Sequence, residues 1–220
     1  MPYKFSPSSL NLLKECPRCF FLHFNKNIKR PDSVFPSLPS GMDKVLKAHF
    51  DSFIGSKRLP PELKGLKGYS LFDDISLLAT WRNNFKGISY TDKNGNILHG
   101  AVDNILVKNS KLVVLDYKTR GFPLKEDTAN HYQDQLDIYN FLLRKNNFKT
   151  LNYAYLLFYH PSNVEANGSV VFNTDLVKMK INVLNAEKIF SNAIEVLNSD
   201  IPDSSEECGF CAWIRENEAV

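Results

Sequence analysis

Two acids and a lysine lie close together in the middle of the chain. Asp103 ends Gly100-Ala101-Val102-Asp103, and Asp116 and Lys118 belong to Leu115-Asp116-Tyr117-Lys118-Thr119. Both stretches read as strands, Ile97 to Lys108 and Lys111 to Thr119. Asn109-Ser110 between them suits a two-residue turn, because Asn tolerates positive φ. Counting outward from a facing Lys108 and Lys111, Asp103 falls opposite Asp116. Facing residues on an antiparallel pair point to the same side, with Cβ atoms roughly 4.5–5.5 Å apart. Lys118, two residues beyond Asp116, points there too. Two carboxylates that close repel unless a cation or a shared proton lies between them. A divalent metal is the natural filler. Without metal, removing one acid should then leave stability unchanged or raised. The plain alternative is an Asp-Tyr-Lys run that ends a solvated strand. The Leu112-Val113-Val114-Leu115 run argues against it. Strands apolar on both faces are usually central and buried, and charge at the edge of a core is costly unless paired or metal-bound.

The four cysteines form two matched pairs, Cys16-Pro17-Arg18-Cys19 and Cys208-Gly209-Phe210-Cys211. A C-x-x-C unit is the spacing by which one segment gives two thiolates to one metal. A single site joining Cys16, Cys19, Cys208 and Cys211 is therefore expected. Disulfides and four buried free thiols are the competing readings, and a thiol redox protein is a third. The last needs a thioredoxin-like context, and no strand precedes Pro17-Arg18. Tetrahedral sulfur ligation suits Zn²⁺ and iron–sulfur clusters alike. A metal closing so long a loop is structural rather than catalytic.

Three further residues become candidates by position. His49 lies on an apolar helix face, either as a hydrogen-bonded core residue or as a ligand. Gln135 and Tyr139 are one helical turn apart and share a face. Their helix follows directly after Lys118, so it can lay both side chains beside the carboxylates, although ordinary packing would explain them equally well.

The elements that must position these groups alternate between strand and helix. Ser6-Pro7 reads as a helix start, with Ser as N-cap and Pro at the first helical position, and turns Leu10, Leu13 and Cys16 inward. Arg30 to Pro39 reads as loop. Ser40-Gly41-Met42-Asp43 resembles a capping box, opening a helix to about Ile54 with Val45, Leu46, His49, Phe50 and Phe53 at helical spacing. Gly55 to Leu71 reads as loop and Asp73 to Phe85 as helix. Lys93-Asn94-Gly95-Asn96 is a hairpin turn. Thr128 to Lys145 reads as a long helix and Leu151 to Tyr159 as a buried strand. Ser169 to Phe172 and Met179 to Val183 read as two more strands, and Asn185 to Leu197 as a helix. The tail, Asp200 to Val220, has no clear period before Trp213. With no internal repeat or linker, residues 1–220 read as a single α/β domain.

At 220 residues, 43% hydrophobic and 23% charged, the chain has the composition of a globular protein with a real core. A formal net charge of +3 neither demands nor excludes a nucleic-acid partner. No apolar run has the length of a membrane span, and Met1-Pro2-Tyr3-Lys4-Phe5 lacks the apolar core of a signal peptide. The expected location is the cytoplasm, where thiols stay reduced.

Taken together and in order, these motifs resemble the PD-(D/E)XK nuclease superfamily, and within it the Cas4-like and RecB-like branch. Ser9 to Phe21, with its Cys-Pro-Arg, is similar to the branch's N-terminal cysteine segment. His49 matches the helix histidine. Gly100 to Asp103 and Asp116-Tyr117-Lys118 match the two catalytic motifs. Gln135-Leu136-Asp137-Ile138-Tyr139 matches the Gln-x-x-x-Tyr motif, and the C-terminal cysteines match the closing cluster segment. Two features depart from the branch. Its iron–sulfur members place one cysteine near the N-terminus and three near the C-terminus, whereas this chain places two and two. The step from Gly41 to His49 is also longer than usual.

The resemblance implies a restriction-endonuclease-like core, a central mixed sheet flanked by helices, with the terminal segments joined at the four-cysteine site. It implies a Mg²⁺- or Mn²⁺-dependent deoxyribonuclease, an exonuclease on single-stranded ends in repair, recombination or CRISPR adaptation. The alternative is an inactive nucleic-acid-binding module on the same fold. Asp103, Asp116, the Tyr117 carbonyl and His49 would hold the metal. Lys118 would orient water or stabilise phosphoryl charge, and Gln135 and Tyr139 would position the strand. Tyr3, Lys4, Arg18, Lys44, Lys47 and Arg120 are candidate phosphate contacts. At the four cysteines the resemblance implies a [4Fe–4S] cluster, with Zn²⁺ as the alternative.

Overall fold

Strand β6, Lys111–Thr119, is buried on both faces, and the molecule is organised around it. A computed structural model describes residues 2–56 and 58–218. The readings that touched Met1 at the start of the chain, and Ala219 and Val220 at the end of the tail, lie outside the described residues. β6 is the middle strand of a five-stranded sheet of order β2-β5-β6-β7-β8, where β2 is Ser70–Leu71, β5 Asn104–Lys108, β7 Tyr153–Val164 and β8 Val170–Lys180. Alternation along β6 divides the core. Leu112 and Val114 join the cluster under α5 (Gln133–Lys145) and α6 (Val183–Leu197), while Val113, Leu115 and Tyr117 join Leu46 and Phe50 of α3 (Ser37–Asp51) on the other face. This is a mixed sheet between helical layers: β5–β6 and β7–β8 are antiparallel, and β6–β7 is parallel, connected through α5. Among the described residues, no helix is long and apolar enough to cross a membrane.

A second sheet, β1-β4-β3 (Lys4–Phe5, Ile97–Gly100, Ile88–Thr91), packs on the α5 side. The start of α1, Pro7–Glu15, is fixed by a reciprocal cap. The Ser9 N–H donates to Ser6 Oγ at 3.3 Å and the Ser6 N–H to Ser9 Oγ at 2.8 Å. α2, Pro17–Lys26, follows at once, and α4 is Ile75–Arg82.

Several boundaries differ from the sequence expectation. The expected strand Ile97 to Lys108 is two strands in two sheets, because the chain bends at residues 101–103. α3 begins at Ser37, one turn before the expected box at Ser40, and Asp43 pairs with Lys47 instead. Val45 is 64% exposed, so the inward face of α3 is carried by Leu46 and Phe50. A 3₁₀ turn, Thr128–Tyr132, precedes α5. The two strands expected after residue 168 are one, β8, because pairing along β7 carries it through Asn173-Thr174-Asp175. The tail holds a helix, α7, Gly209–Glu218.

Candidate active site and metal centre

Turn chemistry sets the register of the acid-bearing hairpin. Asn109 and Ser110 both take left-handed φ, 50° and 57°, as a type I′ turn requires, and Lys108 faces Lys111. The ladder runs to Asn104 opposite Leu115 and stops. Asp103 occupies the next position, but its side chain replaces the ladder: Oδ2 accepts the Tyr117 N–H at 2.9 Å. α4 holds this kink. Arg82, gripped by both Asp51 oxygens at 2.8 Å, donates Nε to the Asp103 carbonyl at 2.7 Å, and the Val102 N–H donates to the Trp81 carbonyl at 3.1 Å. A strand residue directs its N–H and C=O to the same neighbour, so the Tyr117 carbonyl faces the gap that Asp103 borders. The Tyr117 ring packs on Phe50, and its hydroxyl accepts from Asn104 at 2.8 Å.

Asp116 and Lys118 project to the α5 face. Lys118 Nζ lies 2.6 Å from Asp116 Oδ2 and donates to Gln135 Oε1 at 3.0 Å. Gln135 Nε2 reaches Asp116 Oδ1 at 3.3 Å and the Tyr139 hydroxyl at 2.7 Å. The Tyr132 ring lies 4.6 Å from Nζ. Side-chain exposure is 2% for Asp116 and 17% for Lys118. Despite its closeness to Lys118, Asp116 Oδ2 is buried with no aligned hydrogen-bond donor. Burial pushes the Asp103 carboxyl above its usual range, and the Asp116 charge adds to that. Burial opposes the Lys118 charge, but Asp116 and Asp103 outweigh it and the pKa is raised, so Lys118 is an ammonium. Burial, then Asp116, drives the Tyr139 phenol well above its usual range.

The expected patch is therefore assembled from two sides. Asp116, Lys118, Gln135 and Tyr139 meet on the α5 face, and Asp103 sits where the β5–β6 ladder ends. Lys47 of α3 comes to Asp103 Oδ1 at 3.2 Å while also holding Asp43. Lys47 is thus an internal partner of the acids rather than a free phosphate contact. Tyr3 is likewise tied down, with its hydroxyl on Asn25 and the Leu197 carbonyl. His49 sits elsewhere on α3, with Nε2 3.0 Å from Glu62 Oε1. Glu62 also accepts from the Tyr159 hydroxyl at 3.1 Å. Among the described residues His49, Asp103 and Asp116 do not form a close three-ligand group, and only the four cysteines do. Sequence reasoning missed Glu62, Arg82 and Tyr132. Glu62 lies in an aperiodic stretch, and the other two act only through contacts distant in sequence. Asp137, inside the Gln-x-x-x-Tyr segment, points away from the site and accepts from Asn182 N–H, Asn185 and Gln133, fixing α6 on α5.

At the cysteine centre, each pair uses the same local device. Cys16 immediately precedes α2 and Cys19 lies in its first turn. Cys208 immediately precedes α7 and Cys211 lies in its first turn. Sulfur contacts between the pairs are 3.9 Å for Cys16–Cys211, 3.7 Å for Cys19–Cys208 and 3.6 Å for Cys19–Cys211, with no disulfide. All four ligand sulfurs lie within 4.8 Å of one another. Burial raises the Cys16 pKa, but backbone hydrogen bonds to Cys19 and Ser205 outweigh it and bring the thiol down to about 6. Burial drives Cys211 up to about 12. Thiols this close cannot all ionise without a cation among them. The four can hold a metal, and they join the α1–α2 junction to the tail.

The fold is a mixed sheet with two acids and a lysine at the end of its central strands. The family model of the PD-(D/E)XK nuclease superfamily matches residues 75–215, and the chain belongs to that superfamily. Nucleases of this superfamily use divalent metals. No curated protein shows a significant match to the chain.

Proposed function

We propose that the protein is a DNA exonuclease acting on single-stranded ends with Mg²⁺ or Mn²⁺, a single domain of the Cas4-like and RecB-like branch serving repair, recombination or CRISPR adaptation. The observation that carries this is the linked set Asp103, Asp116, Lys118, Gln135 and Tyr139. The donor set suits a hard cation. It comprises the Tyr117 carbonyl and two carboxylates, one of which, Asp116, has an oxygen lacking an aligned donor. His49 would add an imidazole, which favours Mn²⁺, by giving up Glu62. Asp103, Asp116 and the Tyr117 carbonyl would hold such an ion, and its chemistry there would be to activate water for attack and to offset charge on the scissile phosphate. Lys118, held as an ammonium by Asp116 and Gln135, donates to the phosphoryl oxygens and does not act as a base. Gln135 and Tyr139 orient the strand. A cleft of about 1260 Å³ opens beside them, lined also by His99, His131 and Tyr132. Aromatic rings in such a cleft suit the unpaired bases of a single strand. Four cysteines gathered for a metal rather than paired in disulfides suit a reducing compartment, the cytoplasm.

The test is cleavage of end-labelled single- and double-stranded DNA with each metal. Release of terminal nucleotides from single strands, and none from a closed circle, is the expected result. Internal cuts in the circle would overturn the exonuclease mode. DNA binding without cleavage under either metal would favour the inactive binding module.

Two substitutions probe the site from its flanks. His49→Ala is expected to raise the Mn²⁺ concentration for half-maximal activity by about tenfold or more, with a smaller change in melting temperature. A fall in stability with an unmoved titration midpoint would leave His49 as the partner of Glu62 only. At Gly100 an added Cβ would lie 2.7 Å from Tyr139 Cε1 and 3.2 Å from Leu142 Cδ1. Gly100→Ala must therefore displace the Tyr139 ring from Gln135. The expected cost is about 1–3 kcal/mol of stability from overpacking, with a larger proportional loss of cleavage at temperatures where the variant stays folded. Parent-like cleavage by the folded variant would remove Tyr139 from the working site.

A further inference from the structure

The geometry points to one tetrahedral zinc ion at the four cysteines, and not the four-iron cluster that the branch resemblance implies. This rests on reading the cysteines as a single metal centre. A tetrahedral ion with Zn–S bonds of about 2.3 Å sets its ligand sulfurs about 3.8 Å apart. The sulfurs here stand 3.6, 3.7 and 3.9 Å apart across the two pairs. In a four-iron cubane each thiolate binds a different corner, which sets the thiolate sulfurs roughly 6 Å apart. Cys16, Cys19, Cys208 and Cys211, all within 4.8 Å of one another, leave no room for a cube of iron and sulfide.

The surroundings hold that spacing. Leu12 packs against the sulfurs, and all four cysteines are buried. Both pairs sit at helix starts, so opening the site would require moving α7 away from the α1–α2 junction as a unit. Arg30 ties those parts together. Its Nη2 donates to Cys208 Sγ at 3.5 Å, Nη1 pairs with Glu15 at the end of α1, and the guanidinium lies 4.7 Å over the Phe210 ring. Four thiolates around one zinc leave a net charge of −2, and a guanidinium at that distance offsets part of it. Arg30 is therefore a positioning residue for the centre, bridging α1 and the segment that opens α7.

The test uses the 220-residue chain, expressed with both iron and zinc supplied and purified without oxygen. Zinc near one per chain, no iron or acid-labile sulfide, and a colourless solution are expected. Exchange with cobalt should give the intense visible bands of a tetrahedral thiolate site. Brown protein containing iron and sulfide would overturn the zinc assignment while leaving the shared centre intact. Protein with neither metal would overturn the shared centre itself. Arg30→Ala should keep the zinc but release it to a chromogenic chelator about tenfold faster. An unchanged release rate would remove Arg30 from the centre. Metal content and release do not depend on DNA cleavage, so these outcomes are read separately from the nuclease assay.

Discussion

Asp116→Asn is expected to abolish cleavage, by roughly a thousandfold or more, while the protein stays folded. Asparagine keeps the shape of the side chain and can still meet Gln135, but it removes the charge that pairs Lys118 and that is proposed to hold a divalent cation. Losing one electrostatic stabiliser of a hydrolytic transition state costs about 10²–10³ in rate, and here the same carboxylate is also a proposed ligand. The stability side separates two substitutions. Two facing acids alone suggest that removing one relieves repulsion. In the structure, however, Asp116 is also the partner of an ammonium only 17% exposed. Asp116→Ala strands that ammonium, and breaking such a pair costs on the order of 3 kcal/mol. Metal-free melting should therefore show Asp116→Ala clearly below the parent and Asp116→Asn closer to it. Adding Lys118→Met to Asp116→Ala should recover much of the loss, a non-additivity expected of contacting residues. Cleavage at the parent rate by Asp116→Asn would remove the carboxylate from the chemistry. Independent, additive losses would deny the Asp116–Lys118 coupling.

The parts of this site legible in the sequence are those whose geometry is local. The Asn109-Ser110 turn fixes register over the next few residues, and that places Asp103 at the position next to Asn104, level with Asp116. Gln135 and Tyr139 share a helical face by their spacing, and their shared bond is the direct result. The two C-x-x-C units could be paired because nothing else in the chain competes for thiolate ligation. What stayed hidden depends on contacts across the sheet. The direction in which α3 presents Lys47 to Asp103, and His49 to Glu62, is set by where the helix starts, and Ser37 rather than Ser40 starts it. The bend at residues 101–103 is likewise imposed from outside, by Arg82 and by the Tyr139 ring against Gly100. No periodicity in Ile97 to Lys108 announces that the run changes sheets. β8 was obscured for the opposite reason: Asn173-Thr174-Asp175 looks like a break, and cross-strand pairing to β7 overrides it.

The largest stability effect belongs to the cysteine centre. Cys16 and Cys211 are in contact across 195 positions of sequence, so an ion shared by the four cysteines would hold the first two helices to the last one. A structural thiolate site contributes its binding free energy to the folded state, on the order of 10 kcal/mol for zinc, comparable to the whole net stability of a domain. Stripping the metal, or truncating the chain before Cys208, is expected to lower the melting temperature by tens of degrees. The loss should also be spatially ordered. The region losing protection first should be Leu10 to Phe21, which meets residue 208 at the cysteine centre, while Val113 to Tyr117 in the central strand should lose protection later. Hydrogen exchange on chelated and untreated protein measures this directly. Fraying confined to α7, with Leu10 to Phe21 as protected as before, would mean that the two pairs do not share an ion. Cys208→Ser with unchanged metal content would lead to the same conclusion by a separate route. Early loss at Cys16 and its helices when the metal alone is stripped, with α7 still in the chain, is the signature of a shared site.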